Sequence, residues 1–130
     1  MENIEFITLE EVLRVHRGLI EAFGGDHGIR DDQLLDSAIN MPKSSFSNKY
    51  LHKDIFEMAA AYAYHIIKNH PFIDGKKRTG IFIAILFLEN NDIEINFKKG
   101  ELYKLGTNIA TSEISKEEIA KIFNKKSILN

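Results

Sequence analysis

Two apolar segments of helical length flank a short polar loop, and this arrangement most constrains how the chain can fold. Residues 55–67 and 81–88 are apolar on nearly every side, which is typical of buried helices. Between them, Asn69 to Gly80 reads Asn-His-Pro-Phe-Ile-Asp-Gly-Lys-Lys-Arg-Thr-Gly. Pro71 and Gly75 interrupt a helix within this segment. The pattern therefore predicts two central antiparallel helices joined by a motif loop, residues 70–75.

The second half of this segment brings cations to the first turn of the following helix, at Lys76, Lys77 and Arg78. Cations there oppose the helix macrodipole, so the placement is unfavourable unless an anion binds. Backbone N–H groups at a helix N-terminus add donors suited to phosphate. In the loop, His70 is a candidate general base and Asp74 a candidate ligand for a hard metal ion. The pattern predicts a phosphate site with reactive groups beside it.

Each of these residues also has an ordinary structural interpretation. An isolated loop histidine more often caps a helix end, Asp-Gly is a common turn pair, and a basic run usually forms a solvated face. Their clustering within residues 70–78 favours the functional interpretation. Phe72 is expected to anchor the loop in the core, with Pro71 as the other supporting residue of the motif.

Length and composition limit the classes of function. The 130 residues carry a net charge of −2 and no cysteine. We therefore expect a single domain over residues 1–130, without disulfides or a thiolate nucleophile. The charge argues against a nucleic-acid or membrane partner. The N-terminus lacks a secretory signal pattern, and the longest apolar run is too short to span a bilayer, so the expected location is the cytoplasm.

Other sequence signals predict smaller elements around the central pair. Thr8 with Glu11 and Ser115 with Glu118 are capping boxes, and Asp31 and Asp54 are candidate N-caps. Residues 42–53 predict a folded flap, residues 93–97 a short extended segment and residues 125–130 a frayed tail.

Two further residues carry structural expectations. His16 lies on the apolar stripe of the first helix, so we expect a hydrogen-bonded core or pocket-edge histidine rather than a catalytic one. Arg30 is expected to form a local ion pair with the adjacent Asp31 and Asp32. The spacing of the other histidines does not indicate a zinc site.

The segment from His70 to Arg78 resembles the core motif of the Fic/Doc fold, in the version typical of death-on-curing (Doc) toxins. Four other segments also occur in the order and spacing that Doc-like chains show: Phe23 to Gly25, Gly28 to Asp31, Leu34 to Ala38 and Phe87 to Asn91. The resemblance covers nearly the whole chain. It implies an all-α, compact Fic/Doc-type helical bundle with the motif loop between two central antiparallel helices.

The same resemblance implies a transferase that moves part of a nucleoside triphosphate onto a protein hydroxyl. Doc toxins transfer a phosphoryl group to a translation elongation factor, whereas other Fic relatives transfer an adenylyl group. Mg²⁺ is the implied cofactor, ATP or another nucleoside triphosphate the co-substrate, and a small antitoxin the implied partner. By position, His70 would deprotonate the target hydroxyl and Asp74 would hold Mg²⁺. The implied phosphate-binding residues are Gly75, Lys76, Lys77 and Arg78.

Lys76 departs from the motif, which usually has asparagine at this position. Lysine is longer than asparagine and cationic. Two alternatives follow: Lys76 is an additional phosphate ligand, or it is a lesion that leaves a catalytically degenerate Fic-fold binding module.

The sequence also contains no Ser/Thr-x-x-x-Glu-Gly/Asn self-inhibitory element, which favours control by a separate partner. A helical nucleic-acid binder using residues 76–78 fits poorly, because the rest of the chain supplies no basic face.

Overall fold

The computed structural model describes residues 3–128, and helices make up most of this range. They are α1 (Leu9–Phe23), α2 (Asp32–Asn40), α3 (Ile55–Asn69), α4 (Lys76–Asn90), α5 (Glu101–Ala110) and α6 (Lys116–Lys126), with a 3-10 turn at Met41–Lys43. Two short antiparallel pairs complete the fold, β1 (Ser45–Phe46) with β2 (Lys49–Tyr50) and β3 (Glu94–Ile95) with β4 (Ser127–Ile128). The predicted all-α class is confirmed.

Helices α3 and α4 form the centre of the hydrophobic core, as the two apolar segments predict. Their contact is close because Gly80 has no side chain: a Cβ there would lie 2.8 Å from Ile67 Cγ1 and 3.1 Å from the Ala63 carbonyl oxygen. The other helices pack around this pair and share its core. The motif loop is therefore held between two rigid, buried helices. Within residues 3–128, every helix is too short or too polar to cross a membrane.

The helix N-termini follow the sequence signals closely. Thr8 and Ser115 form the predicted capping boxes, and Asp31 and Asp54 cap α2 and α3. The N-terminus of α4 differs, because its N-cap is Gly75, which has no side chain to accept a hydrogen bond. The first N–H groups of α4 are thus left without the side-chain acceptor that α1, α2, α3 and α6 have, and the same holds for α5, whose N-cap is Gly100.

The predicted frayed tail at residues 125–130 is wrong for the part that the structure describes. Helix α6 continues to Lys126, and β4 pairs with β3. The Asn96 N–H donates to the Lys126 carbonyl at 2.9 Å, and Lys126 Nζ lies 2.9 Å from Glu101 Oε2. Backbone pairing and one ion pair hold this end, and neither leaves an apolar pattern in the sequence. Residues 129 and 130 lie outside the described range.

Residues 42–53 contain the β1–β2 hairpin. Its turn residues Ser47 and Asn48 adopt positive φ values of 52° and 64°, and Phe46 on β1 is 76% exposed. The segment is ordered and projects an aromatic side chain into solvent, and its role as a flap stays a prediction.

Candidate active site

A cavity of about 670 Å³ opens at the N-terminus of α4. All the residues predicted to act in catalysis, metal binding or phosphate binding line it, namely His70, Asp74, Gly75, Lys76, Lys77 and Arg78. The rest of the lining is mostly apolar and includes Leu19, Phe23, Phe82, Ile85, Leu102 and Tyr103. Folding thus brings polar and apolar side chains together around the motif loop.

Backbone hydrogen bonds from the segment before α2 hold the motif loop in place. The N–H groups of Arg30 and Asp31 donate to the Pro71 carbonyl at 2.7 and 3.2 Å. The Ile73 N–H donates to the Gly28 carbonyl at 3.1 Å. The loop is consequently paired along its length rather than free to move as an isolated turn.

Arg30 fixes the C-terminus of α3, from which His70 projects. Its Nε donates to the His70 carbonyl at 2.6 Å and its Nη2 to the Asn69 carbonyl at 3.1 Å. The predicted local ion pair of Arg30 is wrong, since its guanidinium is used at this helix end, where the macrodipole favours a cation. His70 adopts φ 52° and ψ 53°, a left-handed conformation that a residue with a side chain adopts rarely. Arg30 therefore positions the candidate base.

His16 supports the other half of the loop. Its ring stacks on Phe72, with centroids 3.8 Å apart and planes 8° apart, and its Nε2–H donates to the Asp74 carbonyl at 2.7 Å. Burial is the main cause that lowers the pKa of His16, so the ring is neutral with a proton on Nε2. The prediction of a hydrogen-bonded core histidine is confirmed. Phe72 is fully buried against it, which anchors the loop.

The side chain of His70 is half-buried at the edge of the cavity. Burial lowers its pKa below the ordinary value, and the positive charges of Lys76 and Arg30 add to this effect. The imidazole is therefore neutral near neutral pH. Its buried Nδ1 has no hydrogen-bond partner within residues 3–128. A neutral imidazole in this position can accept a proton from a hydroxyl group.

The cations at residues 76–78 have no carboxylate partner in the described part of the chain, where the one salt bridge joins Lys126 and Glu101. The Arg78 Cζ lies 4.4 Å from the centroid of the Phe23 ring. Burial lowers the pKa of Lys76, and neighbouring cations lower it further. This concentration of unpaired positive charge beside free helix N–H groups is suited to a polyanion such as a triphosphate.

The carboxylate of Asp74 is exposed and held from one side. Its Oδ2 accepts a hydrogen bond from the Asp26 N–H at 3.0 Å. Gly25, at φ 115°, allows this approach, because a Cβ there would lie 3.3 Å from the Asp74 Cβ. Within residues 3–128 no three His, Asp or Glu side chains form a metal cage. A metal ion at Asp74 would therefore need further oxygen ligands from a bound substrate and from water.

Sequence reasoning missed the part that Arg30 takes in this site. Its bonds to the end of α3 span about 40 positions of sequence, so local spacing carries no trace of them. The available signal was the Gly28 to Asp31 segment, which the Doc-like resemblance already contained. That segment contains Arg30, and it also supplies backbone hydrogen-bond partners to the motif loop.

Comparison with known proteins agrees with this geometry. The model of the Fic/DOC family matches residues 6–88, which include the motif loop and most of α4. The chain belongs to the Fic/Doc family. It is 32% identical to "Protein kinase doc" of Escherichia phage P1 over 114 residues, covering 88% of this chain and 89% of the relative. It is 31% identical to "Toxin Doc" of Mycolicibacterium smegmatis over 118 residues, covering 89% and 88%. The resemblance read from the motif is thereby confirmed.

Proposed function

We propose that this Fic/Doc protein is a Doc-type toxin that transfers the terminal phosphoryl group of ATP to a hydroxyl group of a target protein, such as a translation elongation factor. The observation that carries the proposal is the convergence of His70, Asp74 and residues 76–78 on one cavity. The name of the phage P1 relative, a protein kinase, favours phosphoryl over adenylyl transfer.

In this proposal the triphosphate binds at the N-terminus of α4. The uncapped N–H groups after Gly75 and the unpaired cations at residues 76–78 neutralise its charge. Positioning and charge neutralisation account for most of the catalysis in phosphoryl transfer. The apolar part of the lining, with the aromatic side chains of Phe23, Phe82 and Tyr103, is suited to the nucleobase. The cavity thus offers a matching surface to each end of a nucleotide.

Magnesium fits this site through Asp74. The ion usually takes one or two carboxylates and completes its octahedral shell with phosphate oxygens and water. A single exposed carboxylate beside a phosphate site meets that requirement. When bound, the ion supplies further neutralisation of the charge on the phosphates.

His70 acts as the general base. The neutral imidazole accepts the proton of the target hydroxyl as its oxygen forms a bond to the γ-phosphorus. The bond from that phosphorus to the bridging oxygen breaks, and ADP leaves. Arg30 keeps the base in position through the carbonyl of His70.

A second candidate function is a non-catalytic binding module. One observation favours it: Lys76 stands where the motif has asparagine, and its pKa is lowered by burial and then by the nearby cations Lys68, Lys77 and Arg30. Crowding of this kind could shift the phosphates away from His70. In that case Lys76→Asn should strongly increase transfer.

The test uses ATP labelled on either the γ- or the α-phosphate, with magnesium, purified protein and a bacterial lysate. We expect protein-bound label from the γ-position only, and its loss in His70→Ala. The matched control is His27→Ala, which removes an exposed histidine outside the cavity. Label from the α-position would establish adenylyl transfer instead. No label from folded wild-type protein would refute both transfer activities.

We also propose that a separate antitoxin restrains the enzyme. The M. smegmatis relative is named a toxin, and the self-inhibitory sequence element is absent from this chain. Expression of the wild type should arrest bacterial growth, and His70→Ala should not. Co-expression of the protein encoded beside it should restore growth and yield a complex by size-exclusion chromatography. Restored growth without a complex would contradict direct restraint.

A further inference from the structure

A second group of basic side chains surrounds a cavity of about 430 Å³ between the start of α3 and α6. The Nζ atom of Lys116, the first residue of α6, lies 3.2 Å from His52 Nε2 and 3.1 Å from His65 Nε2. It also lies 5.8 Å from the centroid of the Tyr64 ring. None of the residues that line this cavity lines the one at α4.

The environment of Lys116 shifts its protonation equilibrium towards the neutral amine. Within residues 3–128 no carboxylate lies within salt-bridge distance of its Nζ. Burial lowers the pKa of Lys116, and the pKa of His65 falls to about 4 through burial and the charge of Lys116. The other charged groups around the cavity are Lys53, Glu57, Glu117 and Lys121.

The hydrogen bonds also define where the reactive electron pair lies. As an ammonium ion, Lys116 can only donate, so the Nε2 atom of each imidazole accepts. After loss of one proton, the amine can keep both hydrogen bonds with its two remaining hydrogens, which leaves its lone pair free. Because Lys116 lines the cavity, a small molecule there can reach this nitrogen. Nucleophile and base therefore lie at hydrogen-bond distance, the arrangement that activates nucleophiles in enzymes.

We propose that Lys116 is an acylation site for small activated acyl donors, of which acyl phosphates are the simplest class. The amine lone pair attacks the acyl carbon and forms a carbon–nitrogen bond. The bond from that carbon to the phosphate oxygen breaks, and phosphate leaves. The imidazole of His52, which lines the cavity, takes the proton released by nitrogen and passes it to the departing phosphate. The products are an amide at Lys116 and inorganic phosphate.

Acylation also alters the contact between α6 and α3. The amide keeps one N–H, whereas the amine donates to two imidazoles, so one histidine loses its donor. The positive charge that the ammonium form carries is removed as well. We expect a lower thermal midpoint for the acylated protein.

The test is competitive acetylation of the folded wild-type protein with limiting acetyl phosphate. The protein is then unfolded and the remaining amines are acetylated with isotope-labelled reagent, so that mass spectrometry gives the extent of reaction at each lysine. Lys121 is the internal reference, because it lies on the same helix, is exposed and lines the same cavity. Near neutral pH we expect Lys116 to react several times faster than Lys121, because burial lowers the pKa of Lys116 and two imidazoles lie within hydrogen-bond distance of its Nζ.

The double variant His52→Gln, His65→Gln separates base catalysis from simple exposure. Glutamine retains a hydrogen-bond acceptor but cannot take a proton at neutral pH. We expect the reactivity of Lys116 to fall to that of Lys121. Equal reactivity of the two lysines in wild-type protein, or an unchanged ratio in the folded double variant, would overturn the proposal. If the variant does not fold, the wild-type pH profile decides, and a common midpoint for both lysines overturns it.

Discussion

The N-termini of α4 and α6 both carry basic side chains near histidines, yet they are built differently. At α4, Gly75 offers no cap and residues 76–78 have no carboxylate partner in the described chain. At α6, Ser115 and Glu118 cap each other's N–H groups, and Lys116 donates to two imidazoles. The first helix start leaves donors and charge for a polyanion, whereas the second satisfies its own polar groups. We therefore take a cation at a helix start to favour a phosphate site where the side-chain cap and the carboxylate partner are both missing.

The largest expected effect comes from the histidine at the uncapped helix. His70→Ala should lower phosphoryl transfer by about 100-fold or more, because general-base catalysis typically contributes that much. Steady-state transfer to the target protein measures it, and the unfolding midpoint shows whether the variant is folded. If the His70→Ala variant transfers phosphoryl groups as fast as the wild type, His70 is not the general base.

Substitutions at the two N-cap positions, Gly75 of α4 and Ser115 of α6, should affect ATP binding differently. Gly75→Ala places a side chain at φ 80°, with its Cβ 3.0 Å from Ile20 Cδ1, and a left-handed residue costs about 1–2 kcal/mol. We expect the Gly75→Ala variant to be less stable and to bind ATP more weakly.

Ser115→Ala should cost about 1 kcal/mol of stability through its lost cap, with ATP binding unchanged. Denaturant unfolding and ATP titration test both, and equal loss of ATP binding in the two variants would contradict the difference between the helices.

The charge of Lys76 should have a smaller effect. Lys76→Asn removes one cation from the phosphate site, and an ion pair open to solvent contributes up to about 1 kcal/mol, or about fivefold in the dissociation constant. We therefore expect ATP affinity to fall about fivefold while transfer persists. A large gain in transfer instead would make Lys76 the lesion of a degenerate binding module.

The last effect is a pH dependence of stability at α6. The pKa of His65 is lowered from 6.5 to about 4 in the folded chain. The unfolded chain binds more protons between these values, so the free energy of unfolding should rise with pH over this interval. His65→Gln should flatten that rise. Urea unfolding of both proteins at a series of pH values measures it, and an identical slope in the two would contradict the assignment.

Local rules were enough to predict much of the fold. The capping signals at Thr8, Asp54 and Ser115 were correct because an N-cap acts on N–H groups two or three residues away. Likewise, the start of α4 at Lys76 followed from Gly75 and the apolar segment after it. The candidate cavity residues came from one continuous motif, so their proximity was expected.

What the sequence could not predict depends on contacts between distant positions. Lys116 meets His52 and His65 across 64 and 51 positions, and no local pattern marks that meeting. Arg30 reaches His70 across 40 positions, so its expected local ion pair was the wrong partner. The pairing of residues 127–128 with β3 uses backbone atoms, which leave no side-chain pattern.

The most direct test of the account is a calorimetric titration of a non-hydrolysable ATP analogue with magnesium. Three proteins are compared: wild type, Lys77→Ala with Arg78→Ala at α4, and Lys121→Ala with Lys125→Ala on α6. The two double variants remove the same charge from the two helices. The account predicts that the α4 variant loses binding and the α6 variant binds as wild type does. Equal binding by both variants, or none by folded wild type, would contradict a triphosphate site at the N-terminus of α4.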